Sequence, residues 1–181
     1  MQPAGDKVIS TLLKHDNKVT SYKVALLRAI NDIVLSFPDL LSEEKAVAVP
    51  LRMLAELWIA YYWPFTDAHQ PIFQGQRSER DGHRRNDMSF RPALTQLRRK
   101  WEAALQGAAQ PADGFYLISE FKSPRRRQTY PLALQKAYDT TVASIKGALQ
   151  QPVCYAGPGQ WTVFDKPQKL KALVSDVLKR H

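Results

Sequence analysis

Cysteine is almost missing from this chain: Cys154 is the only one in 181 residues. No intrachain disulfide framework can form, and no cysteine-rich zinc knuckle can be built. Histidine is scarce as well, with four in all. After His83 the next is His181, so no histidine pair at short metal-ligand spacing follows it. No apolar stretch approaches the roughly 20 residues that cross a bilayer, and Met1 to Asp16 holds no apolar run of the signal-peptide kind. The expectation is a soluble, cytoplasmic protein with no membrane partner. Acid is in short supply too: 17 Asp and Glu face 26 Lys and Arg, for a formal charge of +9. Such a balance favours a polyanionic partner, nucleic acid first.

The chain does have the makings of a core, with 44% hydrophobic residues. From Thr20 to Phe37, Leu26, Leu27, Ile30, Ile33, Val34 and Phe37 recur at three- and four-residue steps, with Thr20 or Ser21 placed to cap the start. Asp6 to His15 reads as a shorter helix, broken at Asp16-Asn17. Pro50 opens another helix, whose Leu51, Leu54, Leu57, Trp58, Tyr61 and Tyr62 make a wide apolar face ending at Pro64. Helical spacing returns from Pro92 to Leu105 and stops near Gly107. Phe115 to Ile118 is short, apolar and rich in strand formers. A helix follows from about Pro131 to Gln150, then two strands around Gly157-Pro158-Gly159, and a closing helix from Pro167.

The expected class is mainly α with a small β component (α+β): a helical bundle with a short strand and a β-hairpin, winged-helix-like in the C-terminal half if a helix and the hairpin cooperate on a groove. Residues 1–63 form a helical subdomain, 64–90 a basic polar loop without periodicity, and 91–181 an α+β subdomain with the hairpin near 153–164. A single continuous domain is the other option.

Arginine clusters interrupt these core patterns. Arg77, Arg80, Arg84 and Arg85 lie in the polar stretch, Arg98, Arg99 and Lys100 on the helix after Pro92, and Arg125, Arg126 and Arg127 beyond the expected strand. These ten are the candidate phosphate contacts. Tyr61, Tyr62 and Trp63 can stack on bases, but their helical spacing suits a core, and only Trp63 stays open.

Catalytic groupings are incomplete. Asp113, Glu120 and Lys122 are the residue types of a metal-dependent nuclease. On an extended strand, though, seven residues put the acids roughly 23 Å apart and on opposite faces. His83 lies near Asp81, Asn86 and Asp87 but lacks a second ligand. Cys154 has no base beside it to lower its pKa, so it reads as a small buried side chain. Gly157-Pro158-Gly159 lacks the lysine of a phosphate-binding loop. No catalytic or metal-binding residue is assigned, and no cofactor is expected in this chain.

Three stretches carry a family resemblance: Thr20-Ser21-Tyr22-Lys23-Val24-Ala25-Leu26-Leu27-Arg28-Ala29-Ile30, the run from Val49 to Pro64, and Tyr155-Ala156-Gly157-Pro158-Gly159-Gln160-Trp161-Thr162-Val163-Phe164. Together they resemble the N-terminal region of bacterial proteins that carry an HNH endonuclease domain further downstream. The resemblance implies a metal-dependent phosphodiesterase, with a divalent ion held by that downstream domain. The Asp-His pair, later asparagine and final histidine of the HNH pattern are not found here, so none of its catalytic residues is carried over. What the resemblance leaves is a DNA-binding or substrate-positioning module, DNA ahead of RNA, in a fragment or a stand-alone relative. The alternative is a helical protein-interaction or regulatory domain that binds an acidic partner.

Overall fold

A computed structural model describes residues 21–37, 49–73, 79–80, 83–84, 87–149, 154–155 and 161–162. The helices, in chain order, are α1 (Tyr22–Ser36), α2 (Leu51–Tyr62), α3 (Arg91–Leu105), α4 (Asp113–Lys122), α5 (Pro124–Arg127) and α6 (Leu132–Leu149), with a 3-10 turn over Trp63–Thr66. Two antiparallel pairings of two residues each accompany them, Glu79–Arg80 with His83–Arg84 and Cys154–Tyr155 with Trp161–Thr162. The described architecture is mainly helical. No helix among the described residues is long and apolar enough to cross a membrane. The expected helices at Asp6 to His15 and from Pro167, and the Gly157-Pro158-Gly159 turn, lie outside the described residues.

Helices α1, α2, α3 and α6 form where the apolar spacing places them. Tyr22, Ala25, Leu26, Ala29 and Ile33 are the buried face of α1, a three- and four-residue stripe. Ser21 precedes that helix but makes no side-chain cap. Its hydroxyl lies 2.7 Å from Tyr62 Oη instead, joining α1 to α2. Helix α2 is buried over more of its circumference, through Leu51, Leu54, Ala55, Trp58, Ile59 and Tyr62, because α1, α4 and α6 all pack against it. Helix α3 packs on α6, where Thr141 Oγ1 donates to Ala93 O at 3.1 Å. Gln106 ends α3 in the left-handed region at φ 55, and the Gly107 amide closes back on Glu102 O at 3.2 Å.

Two aromatic groups fill the core. Tyr22, Trp58, Tyr62 and Phe90 lie with ring centroids 5.1–6.3 Å apart. Trp101, Phe121, Tyr130 and Tyr138 form the second group. The buried residues from Tyr22 to Leu149 make one cluster.

Two expectations are corrected. Phe115 to Ile118 is helical: it lies within α4, and Arg125 to Arg127 therefore follow a helix and form the short α5 themselves. Gly114, Leu117, Ile118 and Phe121 are buried at steps of three, one and three, which is a helical face. Packing against α2 overrides the strand preference of isolated aromatic and β-branched residues. The stretch 64–90 is also not loop throughout. Its ends belong to the fold, with Trp63–Thr66 in a 3-10 turn and Met88 and Phe90 in the core. Each anchor there is a single residue, which leaves no periodic trace.

Gly114 allows the α2–α4 contact. A Cβ at this position would stand 2.8 Å from Ala60 Cα and 2.8 Å from Trp63 Cβ, so any side chain must push the helices apart. Gly114→Ala should destabilise the protein by about 1–3 kcal/mol through overpacking. Gly147, on α6 with nothing within 4 Å of its missing Cβ, is the control. Gly147→Ala should stabilise by about 0.5–1 kcal/mol through helix propensity. Urea unfolding of the two variants checks both signs.

Candidate nucleic-acid interface

The ten basic residues singled out in the sequence divide sharply once folded. Helix α3 buries Leu94, Leu97, Arg98 and Trp101, so the residues between them, Arg99 and Lys100, face outward. Neither has a hydrogen-bonded or ion-paired partner among the described residues. Arg98 lies inside the protein, which removes it from the surface set.

The Arg98 side chain is only 5% exposed, and it makes four hydrogen bonds. Nε donates to Glu102 Oε1 at 3.2 Å, Nη1 to Trp63 O at 3.2 Å, and Nη2 to Asp67 Oδ2 at 2.7 Å and Ala109 O at 3.2 Å. The guanidinium carbon also lies 5.8 Å from the Trp63 ring centroid. A planar cation with five N–H groups is suited to bridging several chain segments at once. Asp67 is prepared as its partner: the Gln70 and His69 amides, each 2.9 Å away, together with Arg98 hold its carboxyl below the usual carboxylate range. One helical face earlier, Arg91 grips Asp87 and donates to Phe65 O at 2.6 Å and Ile72 O at 2.5 Å. It pins the 3-10 turn and the chain beyond it to the start of α3.

Helix α5 follows Ser123, whose hydroxyl accepts from the Arg126 amide at 3.4 Å. Arg125 is exposed and unpartnered among the described residues. Arg126 donates to Ser119 O at 2.9 Å and lies 3.5 Å from Glu120. Arg127 pairs with Asp139 and covers the Phe121 ring at 5.7 Å. Arg80 and Arg84 fall in the first two-residue pairing, opposite His83 and Glu79. Their side chains, and Arg77 and Arg85 altogether, lie outside the described residues, as do the side chains of His83 and Cys154.

Of the aromatic trio, Tyr62 and Trp63 are buried, and Trp63 Nε1 donates to Gln110 O at 3.1 Å. Trp63 is therefore core. Tyr61 is at the edge, with its hydroxyl donating to Asp32 at 2.5 Å and its ring beneath Arg28 at 4.4 Å. Burial first, then Asp32, pushes its phenol well above the ordinary tyrosine range.

The Asp113–Glu120 geometry is corrected along with the strand. On a helix these residues share a face about 10 Å apart, yet both carboxylates are engaged elsewhere. Asp113 accepts from Trp101 Nε1 at 3.0 Å and from the Gln110 amide at 2.9 Å. Glu120 accepts from Tyr130 Oη at 3.2 Å, and burial first, then Glu120, pushes that phenol up to about 12. No group of three His, Cys, Asp or Glu placed to hold a metal occurs among the described residues.

Sequence reasoning missed a cleft of about 330 Å³ lined by Arg52, Glu56, Phe121, Lys122, Pro124 and Arg127. The Arg52–Glu56 pair was legible from its four-residue spacing. Its meeting with Lys122 and Arg127 depends on the α2–α4 packing. Arg98→Ala should cost about 2–3 kcal/mol, since it strands two buried carbonyls and loosens two half-exposed carboxylates. Arg99→Ala should change stability by less than about 0.5 kcal/mol. Melting curves of the two neighbours, measured side by side, test the division.

No curated protein and no solved structure matches the chain. A family described as a domain of unknown function, DUF8808, matches residues 3–180, and the chain belongs to that family.

Proposed function

We propose that this protein is a DNA-binding or substrate-positioning module of an HNH-type endonuclease, not catalytic on its own. The observation that carries this reading is that three of the ten candidate contacts, Arg99, Lys100 and Arg125, are exposed and have no partner among the described residues, in a chain of charge +9. An outward cation with nothing to pair with is available to displace counterions from phosphates. Arg77, Arg80, Arg84 and Arg85 are further phosphate contacts in this reading, and Arg126 and Arg127 add charge beside Arg125. The fold is then α+β, with the hairpin near 153–164 as a wing touching the neighbouring backbone. Divalent metal belongs to the HNH domain. Backbone contacts of this kind position a duplex without reading its sequence.

A second reading, a helical interaction domain for an acidic protein, draws support from Phe115 and Tyr116, 49% and 55% exposed on α4. Aromatic side chains at such exposure are more typical of protein interfaces than of phosphate-binding surfaces.

Titration of labelled duplex and single-stranded DNA across a salt series separates the two. Affinity should fall with salt at a slope of about −0.9 per phosphate contact, and Arg99→Glu/Lys100→Glu should reduce the slope by about 2 while leaving the melting curve unchanged. Absence of binding at low salt would defeat the DNA reading and put the protein partner first.

A further inference from the structure

The cleft between α2, α4 and α5 gathers more donors than its own acids use. Arg52 and Arg127 are 50% and 24% exposed, and Lys122 is exposed beside them. Two carboxylates compete for these three cations. Glu56, buried, accepts from Arg52 Nε at 2.8 Å. Asp139 pairs with Arg127 and stands 4.0 Å from Arg52 Nη2, beyond hydrogen-bond range. Each guanidinium has five N–H groups, so most of those on Arg52 and Arg127 stay open, as do all three on Lys122, which has no partner among the described residues.

Tyr138, buried on α6, is close enough to Glu56, Arg52 and Arg127 to interact electrostatically with all three. Burial first, then Glu56, raises its phenol above the ordinary tyrosine range, so it is a neutral neighbour of these charged residues.

We propose that this cleft seats a single phosphate group, held by Arg52, Lys122 and Arg127. The donors approach from three helices, which suits the tetrahedral set of oxygens on phosphate better than the two coplanar oxygens of a carboxylate. The volume is at the small end of the roughly 300–1,000 Å³ usual for ligand pockets. It fits a phosphate with part of its ester. The inference deepens the nucleic-acid reading and rests on it for the source of the phosphate. It adds Arg52 and Lys122 to the contact surface.

Nuclear magnetic resonance of the arginine Nε–H groups of the full chain provides the test, with three ligands titrated separately: inorganic phosphate, a 5′-phosphorylated oligothymidylate, and the same oligonucleotide without the terminal phosphate. The Arg52 and Arg127 signals should shift with phosphate. Response to the unphosphorylated strand identifies an internal phosphodiester as the source, and response only to the phosphorylated strand identifies a terminal one. Lys122→Ala, at an exposed position without a partner, should keep its melting curve and weaken phosphate binding about tenfold. Glu56→Gln, which removes a competing charge, should tighten it. Unmoved Arg52 and Arg127 signals, or unchanged phosphate affinity in Lys122→Ala, would overturn the cleft even if duplex DNA still binds through Arg99 and Lys100. Phosphate binding without any affinity for DNA would uphold the cleft and defeat the nucleic-acid reading.

Discussion

Much of this structure depends on one buried cation. Arg98 sits in the apolar face of α3 and joins the end of α2, the segment after the 3-10 turn and the α3–α4 connection, through Trp63 O, Asp67 and Ala109 O. An isolated charge in that position would be untenable. It is tolerated because its donors have acceptors and because Asp67 and Glu102 are partly solvated. The placement has a mechanical consequence: Trp63 and Gln110 are held within hydrogen-bond reach of one another, and Gly114 is brought against Ala60. Arg91 repeats the device seven residues earlier, for the chain at Phe65 and Ile72.

A second consequence concerns charge. The net excess of cations suggests a uniformly basic surface, but folding withdraws part of it. Arg98 and Arg91 are internal clamps, Arg52 and Arg127 are partly neutralised by Glu56 and Asp139, and the open cations among the described residues include Arg99, Lys100, Lys122, Arg125 and Lys136. Adjacent residues on one helix thus differ completely in role, since a helical turn of about 100° per residue carries Arg98 inward and Arg99 outward.

Helices were legible in the sequence where they bury a stripe, as in α1, α2, α3 and α6, because a 3.6-residue period leaves a repeated mark. Helix α4 was not, since Phe115-Tyr116-Leu117-Ile118 has both strand propensity and a helical face, and only contact with α2 decides between them. The anchors at Thr66, Met88 and Phe90 were invisible for want of any repeat. Among the candidate site residues, Arg99, Lys100 and Arg125 were found by charge alone. Arg98 could have been separated from them by its register, one residue after Leu97 and three before Trp101 on the apolar face. The cleft joins α2, α4 and α5, and no local pattern announces a meeting of residues 52, 122 and 127.

Arginine-directed dicarbonyl labelling of the folded chain, read residue by residue by mass spectrometry with and without duplex DNA, measures the division of roles directly. Arg98 should resist modification until the protein unfolds, while Arg99 and Arg125 should react in the free protein and become protected by DNA. Modification of Arg98 at the rate of Arg99 in the folded chain, or Arg99 and Arg125 that stay equally reactive under saturating DNA, would contradict it.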